Sequence, residues 1–307
     1  MQYLHNDREM FTDAINQAVA LTGFNPAIVE KDYYVTIILR ELADELPFVV
    51  FKGGSSLSKC YKVIDRYSED IDISIDTALS QGQKRKLKEA LKNITMRMGL
   101  EIPNIEDTRS RRDFNKYFIH YAPVFLDPNS AINPDVQLET SFTEISFPVV
   151  SMEVHSFIGD MLATEAPDLL KQYSLEPFEM KVQSIDRTMI DKVFAICDYY
   201  LGKKEIDKHS RHIYDIYKLL PLVPDNDDYR KLIKDVREER LKAKICLSVQ
   251  PGVNVPKLLQ EIVDNKIYKY GYDNLTYYLL KDKISYEEAI SAVKKIIESE
   301  AFEENNG

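Results

Sequence analysis

Two short segments of the sequence place groups suited to phosphate chemistry near each other. Adjacent glycines between a strand and a helix let successive backbone N–H groups point into one concavity, and the helix amino terminus adds positive charge there. Two aspartates separated by one residue on a strand face the same side, and a divalent cation between them removes their repulsion. The segments are a turn at Lys52, Gly53, Gly54, Ser55 and Ser56 and, about fifteen residues later, a pair at Asp70 and Asp72.

Each segment has a plainer alternative, because a Gly-Gly-Ser turn can be an ordinary tight turn and an Asp-x-Asp strand can be a solvated edge. Together they favour a site for a metal-bound phosphate, and the hydroxyl of Ser55 or Ser56 can donate to it. A further predicted strand carries Asp135, Gln137 and Glu139 on one face. If this strand lies beside Asp70 and Asp72, Glu139 completes the metal site. An exposed strand face is the equal alternative, and the sequence does not settle the pairing.

A second cluster lies in a later helical region. Lys192 sits among apolar residues on a predicted helix, where it either extends its ammonium to solvent or points at a triphosphate. Arg211 and Asp215 are one helical turn apart and can pair with each other. That pairing leaves the neighbouring His212 and two tyrosines unexplained.

A basic and aromatic segment precedes the strand of Glu139. Arginines bind a phosphate backbone and aromatic rings stack on unpaired bases, so the segment can hold an RNA end. The alternative is a half-buried hairpin with a solvated basic face. Its residues are Arg109, Arg111, Arg112 and Lys116, interleaved with Phe114, Tyr117, Phe118 and Tyr121.

Hydrophobic periodicity predicts an α+β fold in two parts. We expect a mixed-sheet domain over residues 1–184 and a helical domain over 185–307, which contributes Lys192 and Asp215. The predicted strands cover 47–51, 71–75, 115–121, 135–142 and 178–183. The predicted helices cover 8–23, 27–45, 57–63, 83–98, 187–201, 212–220 and a last helix capped by Ser285.

Composition excludes several classes of protein. Hydrophobic residues make up 44% of the 307 positions, so the chain can bury a core. The formal net charge of −10 excludes a uniformly basic nucleic-acid coat but allows a local basic patch. No apolar run is long enough to cross a membrane and the start has no signal-peptide core, so we expect a cytoplasmic protein. Three distant cysteines predict reduced core residues.

The motifs occur in an order that resembles the AbiEii/AbiGii nucleotidyltransferase toxin family. The resemblance covers residues 29 to 220 and is carried by these segments: Val29-Glu30-Lys31-Asp32-Tyr33-Tyr34, Lys52-Gly53-Gly54-Ser55-Ser56-Leu57, Arg66-Tyr67-Ser68-Glu69-Asp70-Ile71-Asp72, Asp186-Arg187-Thr188 with Asp191-Lys192, and Arg211-His212-Ile213-Tyr214-Asp215. It differs from the family pattern at Ser55, usually threonine, and at Asp191, often glutamate. Both substitutions keep the functional group.

The resemblance implies a polymerase-β-like nucleotidyltransferase core with an attached helical domain. It further implies a toxin with a cognate antitoxin encoded nearby, in a toxin–antitoxin or phage-abortive system, that transfers a nucleotide from an NTP to the 3′ end of tRNA. Gly54 and Ser55 would hold the triphosphate, Asp70 and Asp72 would bind Mg²⁺ or Mn²⁺, Lys192 would contact phosphates, and Asp215 would be the essential acid. We count Lys52, Gly53, Ser56 and Arg211 among the nucleotide-binding residues, and Glu139 is a candidate acceptor of the attacking hydroxyl's proton.

Three other functions remain open on the sequence. The same residues suit transfer of a γ-phosphoryl group to RNA or protein. A glycosyltransferase can use an Asp-x-Asp motif, but the glycine turn and later motifs do not support it. A module that binds nucleotide or a partner without catalysis would show no Mg²⁺-dependent product.

Overall fold

The computed structural model describes residues 2–66, 68, 70–125 and 133–303. The chain divides into two compact units. The amino-terminal unit comprises Met1–Cys60, Ser68–Ile145 and Val149–Val182, and the carboxy-terminal unit comprises Tyr61–Tyr67, Ser146–Pro148 and Gln183–Gly307. The sequence placed one boundary at 184; the carboxy-terminal unit also takes the two short segments at 61–67 and 146–148.

The amino-terminal unit is built around a six-stranded mixed sheet, as the α+β prediction requires. The strands are β1 (Val49–Lys52), β2 (Ile71–Ile75), β3 (Phe114–His120), β4 (Asp135–Ile145), β5 (Val149–Val154) and β6 (Phe178–Gln183). Their order across the sheet is β3-β4-β2-β1-β6-β5. β1 runs antiparallel to β2, β2 parallel to β4, and β3 antiparallel to β4.

The helices of this unit are α1 (Arg8–Thr22), α2 (Pro26–Glu45), α3 (Gly53–Lys59), α4 (Gln81–Arg97), α5 (Phe157–Glu165) and α6 (Pro167–Gln172). α2 packs against α1, α4 and α5 and contacts β4, and α1 also packs against α5. Local sequence explains their ends. Ser80 and Gln83 form a capping box that starts α4, and Gly23, with φ +72°, ends α1.

Alternation positions the predicted site within the sheet. Ile71, Ile73 and Ile75 of β2 are all buried, and Asp72 projects to the other side, where it is partly exposed. β4 alternates in the same way, with Val136 and Leu138 buried and Glu139 partly exposed. Isoleucine and valine facing the core thus place the acidic side chains on one open face of the sheet.

The carboxy-terminal unit is helical, as predicted. Its longer helices are α7 (Ile185–Gly202), α8 (Arg211–Leu219), α9 (Asp227–Leu241), α10 (Val255–Asp264) and α13 (Tyr286–Glu298), with short turns α11 (Lys269–Gly271) and α12 (Tyr277–Leu279) on either side of a π-helical segment, Tyr272–Thr276. Ser285 caps α13 by accepting the N–H of Glu288, 3.2 Å away. α8 packs against both α7 and α13.

One predicted helix has the wrong bounds, and three elements were not predicted. The first short helix was predicted over residues 57–63, but α3 begins at Gly53 and ends at Lys59. β5 was missed, although Val150, Met152 and Val154 alternate with Ser151 and Glu153; of these residues only Val154 is buried in this edge strand. α5 and α6 were also missed, since both are short. The predicted bounds of β2 and β6 agree with the structure.

All three cysteines are free, and Cys197 and Cys246 are buried while Cys60 is half-buried. Burial raises the pKa of the Cys60 thiol to about 12. Among the described residues, no helix is both long and apolar enough to span a membrane.

Candidate active site

The turn between β1 and α3 brings its first glycine close to Asp72. Lys52 ends β1 opposite Asp72 of β2, and Gly53 follows with φ +78°. A Cβ atom at position 53 would lie 2.9 Å from Cγ of Asp72 and closer still to its Oδ2. A side chain at this position would therefore both strain the backbone and displace the carboxylate. The absence of a side chain at Gly53 therefore leaves room for the Asp72 carboxylate.

The two serines of the turn are buried, and their hydroxyls donate to backbone oxygens of the protein. Ser55 is fully buried, and its hydroxyl donates to the backbone oxygen of Asp70 and lies 3.1 Å from the hydroxyl of Ser68. Ser56 is also fully buried and donates to the backbone oxygen of Gly53 at 2.9 Å. In this conformation both hydroxyls bond to the protein, so they position the turn and Asp70. The prediction that one of them donates to a phosphate stays a prediction.

α3 is held against α2 by a buried charge pair that sequence reasoning missed. Asp32 pairs with Lys59, and its other oxygen accepts the N–H of Phe157 at 2.9 Å. Lys59 also donates to the hydroxyl of Thr36 at 2.7 Å. The signal in the sequence was a run of three charges, at positions 30–32, within the mainly apolar first part of α2. The pair fixes the helix that follows the glycine turn.

β4 brings a third carboxylate beside the predicted pair. Glu139 is the register partner of Asp72 across the parallel β2–β4 ladder, which settles the strand pairing that the sequence left open. The carboxylate of Glu139 lies 2.7 Å from the ammonium of Lys116 and accepts from the side-chain amide of Gln137 at 2.9 Å. Asp72 and Glu139 together form an acidic face of the sheet, and Lys116, predicted as an RNA contact, is an ion-pair partner of this face.

The acidic face fits a divalent cation that is shared with a substrate. In the ranges that the structure describes, no three acidic, histidine or cysteine side chains are grouped as a metal site. Mg²⁺ in proteins commonly takes one or two carboxylates and completes its octahedron with water and substrate phosphates. Asp72, fixed against Gly53, supplies a carboxylate of this kind.

The second cluster is a buried ion-pair network in the carboxy-terminal unit. Asp215 is fully buried, and Arg66 donates to both of its oxygens, from Nε at 2.6 Å and from Nη2 at 2.7 Å. The ammonium of Lys192, also buried, lies 2.6 Å from Oδ2. Burial alone would raise the pKa of Asp215, but the charges of Arg66 and Lys192 outweigh it and hold the pKa well below its usual range. Arg66 lies within one of the family-like motifs, but the sequence predicted no role for it.

Two histidines stack beside this network. The rings of Tyr199 and His209 are parallel with centroids 3.4 Å apart, and His212 follows at 5.5 Å from His209. Burial and the nearby cations Arg211 and Lys192 lower the pKa of His209 to about 4 and of His212 to about 3. Both rings are therefore neutral at pH 7. Nδ1 of His212 lies 3.9 Å from Oδ2 of Asp215.

The basic segment divides between surface and core. Arg109, Arg111 and Arg112 are exposed, and the first two join Arg85 in lining an open pocket of about 640 Å³. The aromatic residues of this segment face opposite sides of the sheet according to their position in the alternation. Tyr117 and Tyr121 are buried and belong to the core, whereas Phe114 and Phe118 are exposed.

The family follows from the sequence match over most of the chain. Residues 37–294 match the family described as nucleotidyl transferase AbiEii toxin of type IV toxin–antitoxin systems. The chain belongs to this family. It is therefore a nucleotidyltransferase toxin of a type IV toxin–antitoxin system, and the family implies an NTP substrate and an antitoxin partner.

A solved structure supports the fold independently. The nucleotidyltransferase toxin MenT4 from Mycobacterium tuberculosis H37Rv superposes with a TM-score of 0.50 over 96% of this chain and 91% of its own, at 14% sequence identity. At this identity the likeness shows the fold alone. No curated protein matches the sequence.

Proposed function

We propose that this toxin transfers a nucleoside monophosphate from an NTP to the 3′-terminal hydroxyl of a tRNA, in a reaction that requires Mg²⁺ or Mn²⁺. The observation that supports the proposal is the position of the Asp72 carboxylate, which fills the space that a side chain at position 53 of the glycine turn would occupy. A phosphate-binding turn joined to a metal-binding carboxylate is what nucleotidyl transfer needs.

Each residue of the amino-terminal unit has a proposed role. The backbone of residues 52–56 binds the phosphates. The hydroxyl of Ser55 keeps Asp70 in place by donating to the backbone oxygen of Asp70. Asp70 and Asp72 hold the metal ion, which when bound neutralises the charge that develops on the phosphoryl oxygens. Glu139, next to Asp72 in register, accepts the proton of the attacking hydroxyl. The oxygen of that hydroxyl forms the new bond to the α-phosphorus, and pyrophosphate leaves.

In the carboxy-terminal unit, Lys192 is the proposed phosphate contact and Asp215 a positioning residue. Asp215 is fully buried and bonds to both Arg66 and Lys192, so its effect on the reaction passes through these cations. Arg211 is a proposed additional contact for the nucleotide. Replacing Asp215 by asparagine should therefore raise KM for the NTP as well as reduce protein stability.

The test supplies the purified protein with total tRNA, Mg²⁺ and each NTP labelled at the α- or the γ-phosphate. We expect α-label in tRNA with wild type and none with Asp72→Asn. Asp76→Asn is the matched control, because Asp76 lies just beyond β2 and pairs with Lys181. Label from only the γ-phosphate would replace nucleotidyl transfer by phosphoryl transfer, and α-label that survives Asp72→Asn would refute the assigned site.

A second experiment separates the acceptor from the chemistry. Total tRNA whose 3′-terminal ribose has been oxidised with periodate lacks the attacking hydroxyl. We expect it to take up no α-label while untreated tRNA does. Equal labelling of both samples would show that the 3′ end is not the acceptor.

A further inference from the structure

We propose that the outer face of β3, formed by Phe114, Lys116 and Phe118, binds the unpaired bases at the end of a single-stranded RNA acceptor. The inference rests on the proposed function, since it names the surface that would present the acceptor end to Asp72 and Glu139. It assigns base stacking to two phenylalanines and leaves the tyrosines of the same segment in the core.

The geometry of β3 separates these roles. Phe114 is 52% exposed and Phe118 is 38% exposed, while Tyr117 between them is 1% exposed. Two residues four apart on a strand lie on one face, roughly 13 Å from each other. The two rings therefore present separate stacking surfaces on the same side of the sheet.

Cross-strand neighbours keep the rings open and connect them to the acidic face. Phe114 is the register partner of Ser141 and Phe118 that of Gln137, so polar side chains adjoin both rings. Lys116 lies between the rings and pairs with Glu139, the register partner of Asp72. Bases held on the rings would thus lie next to the proposed metal-binding carboxylates.

The backbone of β3 argues against a peptide as the occupant. β3 is an outer strand of the sheet, and exposed strand edges commonly pair with an added strand. Here the side-chain amide of Asn104 donates to the backbone oxygen of Lys116 at 2.8 Å, and its side-chain oxygen accepts the N–H of Phe118 at 3.1 Å. The middle of the strand edge is therefore occupied by a side chain of the protein itself.

The last residue of β3 is bonded along the same edge. The N–H of His120 donates to the backbone oxygen of Glu101 at 2.7 Å, and the N–H of Glu101 donates to the backbone oxygen of His120 at 3.2 Å. The two residues thereby form an isolated antiparallel bridge. From Lys116 to His120 the strand edge is already bonded, which leaves the side-chain face as the interaction surface.

The charge next to this face fits a polyanion. Arg111 and Arg112 are exposed and lie two to three residues before β3, separated from it by Asp113, and Arg109 and Arg111 line the open pocket with Arg85. Guanidinium groups bind phosphate oxygens in a bidentate manner. Arg85, Arg109 and Arg111 thus form a local positive patch on a chain whose formal net charge is −10. A positive patch beside two exposed aromatic rings favours single-stranded RNA as the occupant.

The test measures RNA binding directly, so that it does not depend on transfer. A fluorescently labelled RNA with an unpaired 3′ end and a blunt duplex of the same sequence are titrated against wild type and three variants: Phe114→Ala, Phe118→Ala and the double variant. Loss of one stacked base weakens binding about 5- to 150-fold. We expect this loss for each single variant with the unpaired end, and little change with the duplex. Tyr278→Ala is the control, because Tyr278 is a 73% exposed aromatic residue of the carboxy-terminal unit.

The outcomes distinguish this inference from the proposed function. If wild type labels tRNA and the double variant binds and labels it equally well, the stacking surface is refuted while the function stands. If no α-label is transferred by wild type but the unpaired end binds in a manner that needs both rings, the function fails and the surface remains. If the double variant keeps RNA binding and instead loses neutralisation by the antitoxin, the face binds protein and the inference is wrong.

Discussion

Replacing Gly53 with alanine should reduce catalysis as well as the stability of the fold. The new Cβ would lie 2.9 Å from Cγ of Asp72, whereas carbon atoms in ordinary contact are about 3.5 to 4.0 Å apart. The Asp72 carboxylate must therefore move by roughly 1 Å. A displacement of that size at a reacting centre can reduce the rate about 100-fold, which corresponds to about 2.7 kcal/mol of transition-state stabilisation.

The chain contains a matched control for the backbone strain. Gly53 has φ +78° and Gly23 has φ +72°, but a Cβ at Gly23 would meet no atom within 4 Å. Alanine at either position must adopt a left-handed backbone conformation, which lowers the free energy of unfolding by about 1 to 2 kcal/mol. Gly23→Ala should therefore lose stability of this size and keep its kcat/KM, while Gly53→Ala should lose both.

The assay combines urea unfolding followed by circular dichroism with kcat/KM for α-label transfer to tRNA. Activities are compared at a urea-free condition in which both variants are folded. The reasoning is wrong if Gly53→Ala stays within threefold of wild type. It is also wrong if Gly23→Ala loses as much activity as Gly53→Ala, because the effect would then come from general destabilisation.

Three further predictions concern buried charge. Asp32→Asn should lower the free energy of unfolding by about 3 to 5 kcal/mol, because it leaves Lys59 buried without its anion; urea unfolding measures this, and adding Lys59→Met should recover much of the loss. Asp215→Asn should cost a similar amount in the same assay, because two buried cations lose their shared carboxylate. Acid should destabilise the fold through His209 and His212. Their pKa values are about 4 and about 3 when folded and near 6.5 when unfolded, so their contribution is complete above pH 6.5 and is lost as the pH falls towards 4 and then 3. The slope is up to about 1.4 kcal/mol per pH unit for each histidine, and a series of urea titrations should find it shallower in His212→Asn.

Local patterns were sufficient where apolar and polar residues alternate clearly or where a capping residue marks a helix end. β2 could be predicted to the residue because its isoleucines alternate with polar residues, and the same alternation placed Asp72 on the open side. The capping serine of α13 was equally readable. β5 has the same alternation, with Val150, Met152 and Val154 apolar and Ser151 and Glu153 polar, but it is a short edge strand in which only Val154 is buried.

Long-range partners could not be predicted, because no local pattern records them. Arg66 and Asp215 are 149 positions apart, and only the fold brings the guanidinium to the carboxylate. The register of β2 against β4 similarly decides whether Glu139 lies beside Asp72 or faces solvent alone. A shift of one residue would have moved Glu139 to the buried face.

The position of Asp72 depends on three independent constraints rather than on its own strand alone. β2 and β1 fix it opposite Lys52, the missing side chain of Gly53 gives its carboxylate room, and the parallel partner β4 places Glu139 next to it. Two neighbouring carboxylates repel each other, and the Lys116 ammonium bonded to Glu139 offsets part of that repulsion. A divalent cation brought in by a triphosphate would offset the remainder, because Mg²⁺ is held by one or two carboxylates together with substrate phosphates. In the proposed function, the acidic face would therefore be most stable when both substrate and metal are present, which would couple nucleotide binding to the order of the site.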